Sequence, residues 1–195
     1  QAELGDAPAR THAVDGAARK ALAENVPFAL TADQQSAIDD IARRMAAPER
    51  MRHMLLGDVG TGKTMVAAFA LAMTADSGEQ ALMMGPTEVL VDQYAQALGP
   101  LLEKSGVTWS KLTGSTPAAE REAILEGLAS GSISVCFGTH ALLTADVTCH
   151  DCGLVVIDEE QRFGVDQREA LMAKGVACDV LEMTATPIPR TLALA

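Results

Sequence analysis

A glycine-rich segment carries the strongest chemical signal in the sequence. Residues 57–64 read Gly-Asp-Val-Gly-Thr-Gly-Lys-Thr, which matches the pattern G-x-x-x-x-G-K-[ST] in full. In such a loop the glycines let backbone N–H groups wrap around phosphates at a helix N-terminus, whose partial positive charge favours anions. Lys63 would reach the β- and γ-phosphates, and the Thr64 hydroxyl would coordinate Mg²⁺. The predicted nucleotide ligands from this loop are Gly57, Gly60, Thr61, Gly62, Lys63 and Thr64.

Two adjacent acids supply the second half of the predicted chemistry. Asp158 and Glu159 follow the apolar run 154–157, so a buried strand would deliver both carboxylates to one edge of a sheet. Asp158 would hold the Mg²⁺, through water, and Glu159 would polarise or deprotonate the attacking water. Alone, such a pair is usually a solvated loop cap. Together with the glycine loop it predicts a P-loop NTPase with Lys63, Asp158 and Glu159 as its catalytic residues.

Alternating apolar and helical segments predict how these residues are positioned. Apolar runs occur at 54–56, 81–84, 132–137, 154–157 and 180–183, with a weaker one at 109–112, and helical segments lie near 63–75, 88–104, 117–130 and 165–174. This alternation predicts an α/β fold with a mostly parallel sheet and helices on both faces. Ligands of such sheets bind outside the carboxyl ends of the strands. The chemically important residues should therefore directly follow each run, at 57–64, 85–87, 138–140, 158–161 and 184–186.

The N-terminal residues differ in composition from the rest. Residues 1–25 are Ala-rich and end in a loosely helical stretch, and Pro27 disfavours helical geometry at Val26. Thr31 then stands as the N-cap of a helix from residue 32 to 45. We predict that residues 1–26 are a linker or helix from a preceding domain and that residues 27–195 form one lobe. The sequence lacks an initiator Met and ends abruptly at Ala195, as we expect of an excised or processed chain.

Composition narrows the classes of function. The 195 residues carry a net charge of −11 with one Trp, one Tyr and four Phe, which argues against a basic patch or an aromatic platform for nucleic acid. The composition remains compatible with a lobe that contacts a nucleic-acid strand through backbone amides and hydroxyls. No apolar run is long enough for a membrane span or a signal peptide.

The four cysteines include one C-x-x-C pair, Cys149 and Cys152. A structural zinc site needs a second ligand pair, and none follows in the sequence. We expect Cys152 to pack as a small apolar residue at the entrance of a strand and Cys149 to lie in the preceding turn. Unconstrained thiols of this kind are typical of a reducing, cytoplasmic compartment.

Seven motifs in a fixed order carry a resemblance to a known family. They lie at 31–34, 57–64, 86–88, 112–114, 138–142, 158–164 and 184–191. This set resembles the first RecA-like lobe of superfamily 2 DNA helicases, and more narrowly the RecG family, with the Mfd translocases as near relatives. The resemblance covers the chain from about residue 27 to its end. It implies a RecA-like P-loop NTPase lobe that uses ATP and Mg²⁺ and acts on branched or duplex DNA, together with a second RecA-like lobe and a wedge domain of the parent chain.

The resemblance also implies roles for individual residues. Gln34 would read the adenine edge and Phe28 would lie against the adenine ring, although a core role for Phe28 is an equal alternative. Gln161, Thr184 and Thr186 would couple nucleotide state to DNA movement. The residues that would touch the DNA backbone are Thr87, Thr113, Gly114, Thr139 and His140. Short hydroxyl side chains and free amides can contact phosphates without charge.

One position departs from the family pattern. The fourth residue of the acidic motif is His in RecG and Mfd proteins and is Gln161 here. Gln can donate and accept hydrogen bonds but cannot be protonated, so pH-sensitive coupling is in question.

Three other functions fit parts of the sequence. They are an Mfd-like duplex translocase, a non-catalytic nucleotide-binding module and a small-molecule kinase. A kinase would need arginines clustered near the loop, and the arginines at 43, 44, 50 and 52 precede the strand instead. Because hydrolysis in this superfamily uses arginines from a second lobe, we expect the chain alone to bind nucleotide modestly, to hydrolyse it poorly and not to unwind DNA.

Overall fold

Six strands and five helices make up the part of the chain that the computed structural model describes, which is residues 11–57, 62–158, 170 and 178–184. The elements are α1 (Ala17–Asn25), α2 (Ala32–Ala46), β1 (Arg52–Leu56), α3 (Lys63–Asp76), β2 (Gln80–Met84), α4 (Glu88–Lys104), β3 (Trp109–Leu112), α5 (Ala118–Ser130), β4 (Val135–Gly138), a 3-10 turn (His140–Leu143), β5 (Cys152–Asp158) and β6 (Asp179–Thr184). The helix predicted near 165–174 lies outside the described residues except for residue 170. None of the described helices is long and apolar enough to cross a membrane.

The sheet is parallel throughout, with strand order β1-β6-β5-β2-β4-β3. Successive residues of β2 point to opposite faces, and both faces are buried. Ala81 and Met83 belong to a core cluster with α1 to α4, whereas Leu82 and Met84 pack in a second cluster with Leu128 of α5. The predicted α/β class, with helices on both faces, is confirmed.

One predicted strand boundary was wrong. The run 132–137 was expected to be extended throughout, but β4 begins only at Val135. Ile133 donates its backbone N–H to the carbonyl of Gly127, and Ser134 donates to the carbonyl of Thr108. These bonds turn the chain from the end of α5 toward β3 before sheet pairing starts, which the apolar pattern alone does not reveal.

Helix α3 explains why the segment before residue 27 is folded onto the lobe. Its residues 65–74 are all buried, so this helix is apolar on every side and needs cover on the side away from the sheet. Helices α1 and α2 supply that cover, and Leu22 of α1 is fully buried. The Asp76 carboxylate accepts the backbone N–H groups of Ala18 and Arg19 at 2.8 and 3.0 Å, which caps the start of α1. The domain boundary near residue 26 stays a prediction about the parent chain.

A buried ion-pair cluster joins the N-terminal segment to the amino ends of the strands. The ring nitrogens of His12 lie 3.1 Å from Glu79 Oε2 and 2.7 Å from Asp179 Oδ2. Asp179 Oδ1 also accepts the backbone N–H of Met51 at 2.9 Å. Burial alone lowers the pKa of His12, but its contacts with Asp179 and Glu79 outweigh burial and raise the pKa from 6.5 to about 9. His12 is therefore charged at neutral pH.

The cysteines behave as packing residues. Cys136, Cys152 and Cys178 are buried in the second core cluster, and Cys149 lies half-buried in the turn before β5, as predicted for the C-x-x-C pair. Burial raises the pKa of the Cys136 thiol to about 12, so it stays protonated and unreactive. The described residues contain no group of three His, Cys, Asp or Glu side chains arranged to hold a metal ion.

Candidate nucleotide and DNA sites

The carboxyl ends of β1, β6 and β5 lie side by side at one half of the sheet edge. Leu56 pairs with Thr184, and Asp158 pairs with Met183. The backbone N–H of Gly57 donates to the Thr184 carbonyl at 3.3 Å. Only β6 separates β1, which leads into the glycine loop, from β5, which ends at Asp158. Because neighbouring strands are about 4.8 Å apart, the start of the loop and Asp158 lie close together. The structure thus brings Gly57, Thr184 and Asp158 to the same edge.

The end of the glycine loop forms the start of α3. Gly62 is the N-cap with φ 78°, a left-handed conformation that favours glycine, and Lys63 and Thr64 occupy the first turn. Glycine offers no side chain to cap this helix, so its first N–H groups can serve an anion. Gly60 and Thr61 lie outside the described residues, and their predicted roles stay predictions.

Gln34 reaches the glycine loop from α2. The Thr31 hydroxyl accepts the Gln34 backbone N–H at 3.1 Å, and Gln34 Oε1 accepts the Thr31 backbone N–H at 2.9 Å. This capping box confirms the predicted N-cap and orients the Gln34 side chain. A methyl group added to Gly62 would lie 1.9 Å from Gln34 Nε2, so the amide packs directly on the loop.

A cleft of about 260 Å³, which we call the nucleotide cleft, opens between these elements. It is lined by Asp33, Gln34, Ala37, Leu55, Leu56, Gly57, Lys63 and Val66. The predicted nucleotide residues Gln34, Gly57 and Lys63 are therefore brought together around one cleft. Phe28 is 50% exposed, so the alternative of a core role does not hold for it.

The close approach of Gln34 to Gly62 yields a testable consequence. The change Gly62→Ala should weaken nucleotide binding about tenfold or more, because the methyl group must displace either the Gln34 amide or the loop. Gly78→Ala is the matched control, since Gly78 has φ +74° with no atom within 4 Å of the added carbon. Both variants place a side chain on a left-handed backbone, which costs about 1–2 kcal/mol of stability. Only the methyl group of Gly62→Ala lies against a residue of the nucleotide cleft. Titration with a fluorescent ATP analogue measures the difference, and equal affinities for the two variants would contradict the geometry.

Asp158 is held by a tyrosine that the sequence did not single out. The Tyr94 hydroxyl, on α4, donates a hydrogen bond to Asp158 Oδ2, and both residues are buried. Tyr94 lies at helical spacing with Val91 and Leu98, which predicts only a core position. The signal available from sequence was chemical, because a buried phenol hydroxyl needs a polar partner.

The other half of the edge, at the ends of β2, β4 and β3, forms a second cleft of about 560 Å³, here named the hydroxyl cleft. Its lining is Pro86, Glu88, Thr113, Gly114, Thr116, Arg121, Thr139, His140, Ala141 and Thr144. Four of the five predicted DNA residues lie here. The fifth, Thr87, is the exposed N-cap of α4, and its hydroxyl accepts the Leu90 backbone N–H at 3.2 Å.

Two carboxylates reduce positive charge around the hydroxyl cleft and order its rim. Glu88 accepts the backbone N–H and the hydroxyl of Ser115 at 3.2 and 3.0 Å, which fixes the turn that follows β3. Arg121 Nη2 lies 2.8 Å from both carboxylate oxygens of Asp146. A hydrogen bond from Thr144 and the charge of Arg121 hold the pKa of Asp146 below its usual range. The cleft therefore offers mainly hydroxyls and amides to a ligand, which is compatible with the acidic composition of the chain.

Of the remaining predicted site residues, the structure describes only some. Thr184 is buried beside Gly57, whereas Glu159, Gln161 and Thr186 lie outside the described residues. The arginines that a kinase would need lie elsewhere. Arg43 and Arg44 pair with Asp40 at the end of α2, and the other two lie at the amino end of β1.

The parallel sheet with helices on both faces, and the glycine loop that starts at its carboxyl edge, have the architecture of a RecA-like P-loop domain. A model of the DEAD/DEAH box helicase family matches residues 31–194, so the chain belongs to that family. Within it, the chain is 46% identical over 175 residues to the ATP-dependent DNA helicase RecG of Staphylococcus aureus (strain NCTC 8325 / PS 47), covering 90% of this chain and 25% of that protein. It is 47% identical over 171 residues to the RecG protein of Bacillus subtilis (strain 168), covering 88% of this chain and 25% of that protein.

Solved structures agree with this assignment. The structure of RecG bound to a three-way DNA junction has a TM-score of 0.81 and 38% identity, covering 96% of this chain and 25% of that one. A second structure, the DUF1998 helicase MrfA bound to DNA and AMPPNP, has a TM-score of 0.68 and 16% identity over 94% of this chain and 29% of that one, which shows the fold alone. The predicted RecA-like lobe and the resemblance to RecG are confirmed. The chain spans about a quarter of the length of the curated relatives it matches.

Proposed function

We propose that this chain is the ATP-binding motor lobe of a DNA helicase that remodels branched DNA, such as forks and Holliday junctions, in recombination and repair. ATP hydrolysis would drive its translocation along DNA. The observation that carries the proposal is the division of one sheet edge into a nucleotide half, with Gly57, Lys63 and Asp158, and a hydroxyl-lined half. Similarity to a RecG protein whose structure was solved on a three-way DNA junction supports branched DNA as the substrate. The free thiols fit a reducing compartment, and we place the protein in the cytoplasm.

The residues on the nucleotide half fit a triphosphate with its magnesium ion. Lys63 and the N-terminus of α3 would hold the phosphates, and Gln34 would recognise adenine. Thr64 and Asp158 are hard oxygen donors of the kind that Mg²⁺ prefers, and they would hold it. A bound Mg²⁺ would supply charge neutralisation at the transferred phosphoryl group. Glu159 would orient and deprotonate the attacking water.

The hydroxyl cleft is the proposed contact for the DNA backbone. Thr87, Thr113, Gly114, Thr139 and His140 would bind phosphates through hydroxyls, backbone amides and an imidazole. Since these contacts carry little positive charge, a second RecA-like lobe and a wedge domain of the parent chain would supply most of the electrostatic attraction for DNA. The second lobe would also supply arginines that stabilise the transition state.

Substitution of Glu159 tests the catalytic part of the proposal. In the full-length parent protein, Glu159→Gln should leave ATP binding intact and reduce DNA-stimulated turnover by roughly 10²–10⁴-fold, the usual contribution of a general base. Glu24→Gln, at the exposed end of α1, is the matched control and should change neither quantity. Equal losses of binding and turnover would assign Glu159 to metal binding instead. Turnover that survives the change would refute its role as the base.

A further inference from the structure

Tyr94 occupies a place in the fold that its helical spacing does not explain. It is the one tyrosine of the sequence, its side chain is buried, and its hydroxyl donates to Asp158 Oδ2 across 64 positions of sequence. The two residues come from neighbouring layers, since Tyr94 is on α4 and Asp158 ends β5. A purely apolar residue would fill the same space without meeting this carboxylate.

The surroundings of Tyr94 hold its ring in one position. A methyl group added to Gly85, at the end of β2, would lie 2.9 Å from Tyr94 Cε2 and 3.2 Å from its hydroxyl. Gly85 therefore leaves the space that the phenol occupies. On the sheet side, the Phe137 ring lies with its centroid 6.4 Å away at a tilt of 49°. A ring fixed on two sides presents its hydroxyl to Asp158 with little freedom.

The same helix also reaches the hydroxyl cleft. Glu88, in the first turn of α4, binds the backbone and hydroxyl of Ser115 on the turn after β3. Tyr94 is six residues further along, a rise of about 9 Å in an α-helix. One helix thus contacts the rim of the hydroxyl cleft near its start and, less than two turns later, the carboxylate of the nucleotide half.

We infer that Tyr94 is a positioning residue for Asp158, which it aligns toward the magnesium ion of the nucleotide. The inference rests on the proposed function. Carboxylates that hold metals or metal-bound water are oriented by hydrogen-bond donors in the next layer, and loss of such a donor typically costs 10–100-fold in metal affinity. With Oδ2 engaged by the phenol, rotation of the carboxylate is restricted, so its oxygens are presented to Mg²⁺ in a fixed plane.

The alternative is that the Tyr94 hydroxyl is merely a buried polar group that has found an acceptor. Both accounts predict a small loss of stability when the hydroxyl is removed, about 1 kcal/mol for one hydrogen bond. Only the positioning account predicts a change in the magnesium requirement. Tyr94→Phe separates the two because it keeps the ring, its packing against Gly85 and its contact with Phe137.

The experiment measures binding of a fluorescent ADP analogue to the chain as a function of Mg²⁺ concentration. For Tyr94→Phe the Mg²⁺ concentration at half-maximal enhancement of binding should rise about tenfold or more, whereas binding in EDTA should be unchanged, because the glycine loop is intact. Ser105→Ala is the matched control, since its buried hydroxyl lies at the other end of α4 and donates to the Leu101 carbonyl at 2.7 Å. That control should keep the wild-type magnesium midpoint.

A second readout uses Tyr94 itself as the probe. Because it is the sole tyrosine, addition of Mg²⁺ to the nucleotide complex should perturb the tyrosine absorption band of the wild type and of Ser105→Ala. An unshifted magnesium midpoint in Tyr94→Phe would overturn the inference while leaving the proposed function in place. If the wild-type chain bound no nucleotide with or without Mg²⁺, the proposed function and the inference would fall together.

Discussion

Replacement of Lys63 by alanine will reduce the affinity of the chain for ATP by roughly 10²–10³-fold. The ammonium group, in the first turn of α3, lines the nucleotide cleft, and among the described residues of that lining Lys63 is the one cation that could meet phosphate oxygens. Removing one partner of a desolvated charge pair costs about 2–5 kcal/mol, and each 1.4 kcal/mol is a factor of ten in affinity. Isothermal titration calorimetry with a non-hydrolysable ATP analogue measures the loss.

The control for Lys63→Ala is Lys104→Ala. Lys104 is an exposed residue in the last turn of α4, and its removal makes the negative net charge larger by the same amount as Lys63→Ala does. If the affinity depended only on the overall charge of this acidic chain, the two variants would weaken binding equally. Unchanged ATP affinity in Lys63→Ala would reject the phosphate-loop interpretation.

Loss of the His12 imidazole will destabilise the fold by about 3–5 kcal/mol, the usual cost of breaking a buried ion pair. In His12→Gln the buried Asp179 carboxylate and the partly buried Glu79 carboxylate would lose their contact with the imidazolium cation. Asp179→Asn is the milder companion variant, because its amide oxygen can still accept the Met51 backbone N–H. Urea denaturation at pH 7 measures both effects.

The pH dependence of the free energy of unfolding tests the stabilising role of the charged His12 more specifically. Its pKa is raised from 6.5 to about 9 on folding, so its contribution to the free energy of unfolding is fully present below pH 6.5 and is lost as the pH rises through 9. The wild type should therefore lose stability between pH 6.5 and about 9.5, and His12→Gln should show a much flatter profile over this range. His150→Gln, at an exposed histidine, is the control and should keep the wild-type profile. If the free energy of unfolding of His12→Gln varied with pH in parallel with that of the wild type, the stabilising role of the His12 ion-pair cluster would be contradicted.

Local patterns made most of the fold and the nucleotide cleft predictable. The start of α3 after the glycine loop, the Thr31 N-cap of α2 and the apolar runs are set by residues within a few positions of one another, and they lie where expected except for the first residues of the run 132–137. Parallel pairing places the carboxyl ends of all the strands at one edge, whereas the strand order that makes β1, β6 and β5 neighbours was not predicted. Gln34 was placed at the nucleotide by resemblance alone, and its approach to Gly62 now gives that prediction a geometric basis.

What could not be predicted depends on distant residues meeting in the core. Tyr94 and Asp158 are 64 positions apart, and nothing in the spacing of either indicates the other. His12 was part of a segment expected to precede the lobe, yet it meets Asp179 at the far end of the described chain. The His12–Asp179 pair arises because a helix that is apolar all round, α3, needs cover from an N-terminal segment that appears polar in sequence.

The central claim is that a triphosphate and its magnesium ion bind between the glycine loop and Asp158. It is tested most directly by a crystal structure of the chain grown with Mg²⁺ and a non-hydrolysable ATP analogue. The account predicts phosphates against residues 57–64, adenine beside Gln34 and the ion within coordination distance of Thr64, with Asp158 as a direct or water-mediated ligand. A nucleotide bound elsewhere, or an empty nucleotide cleft at saturating analogue, would contradict it.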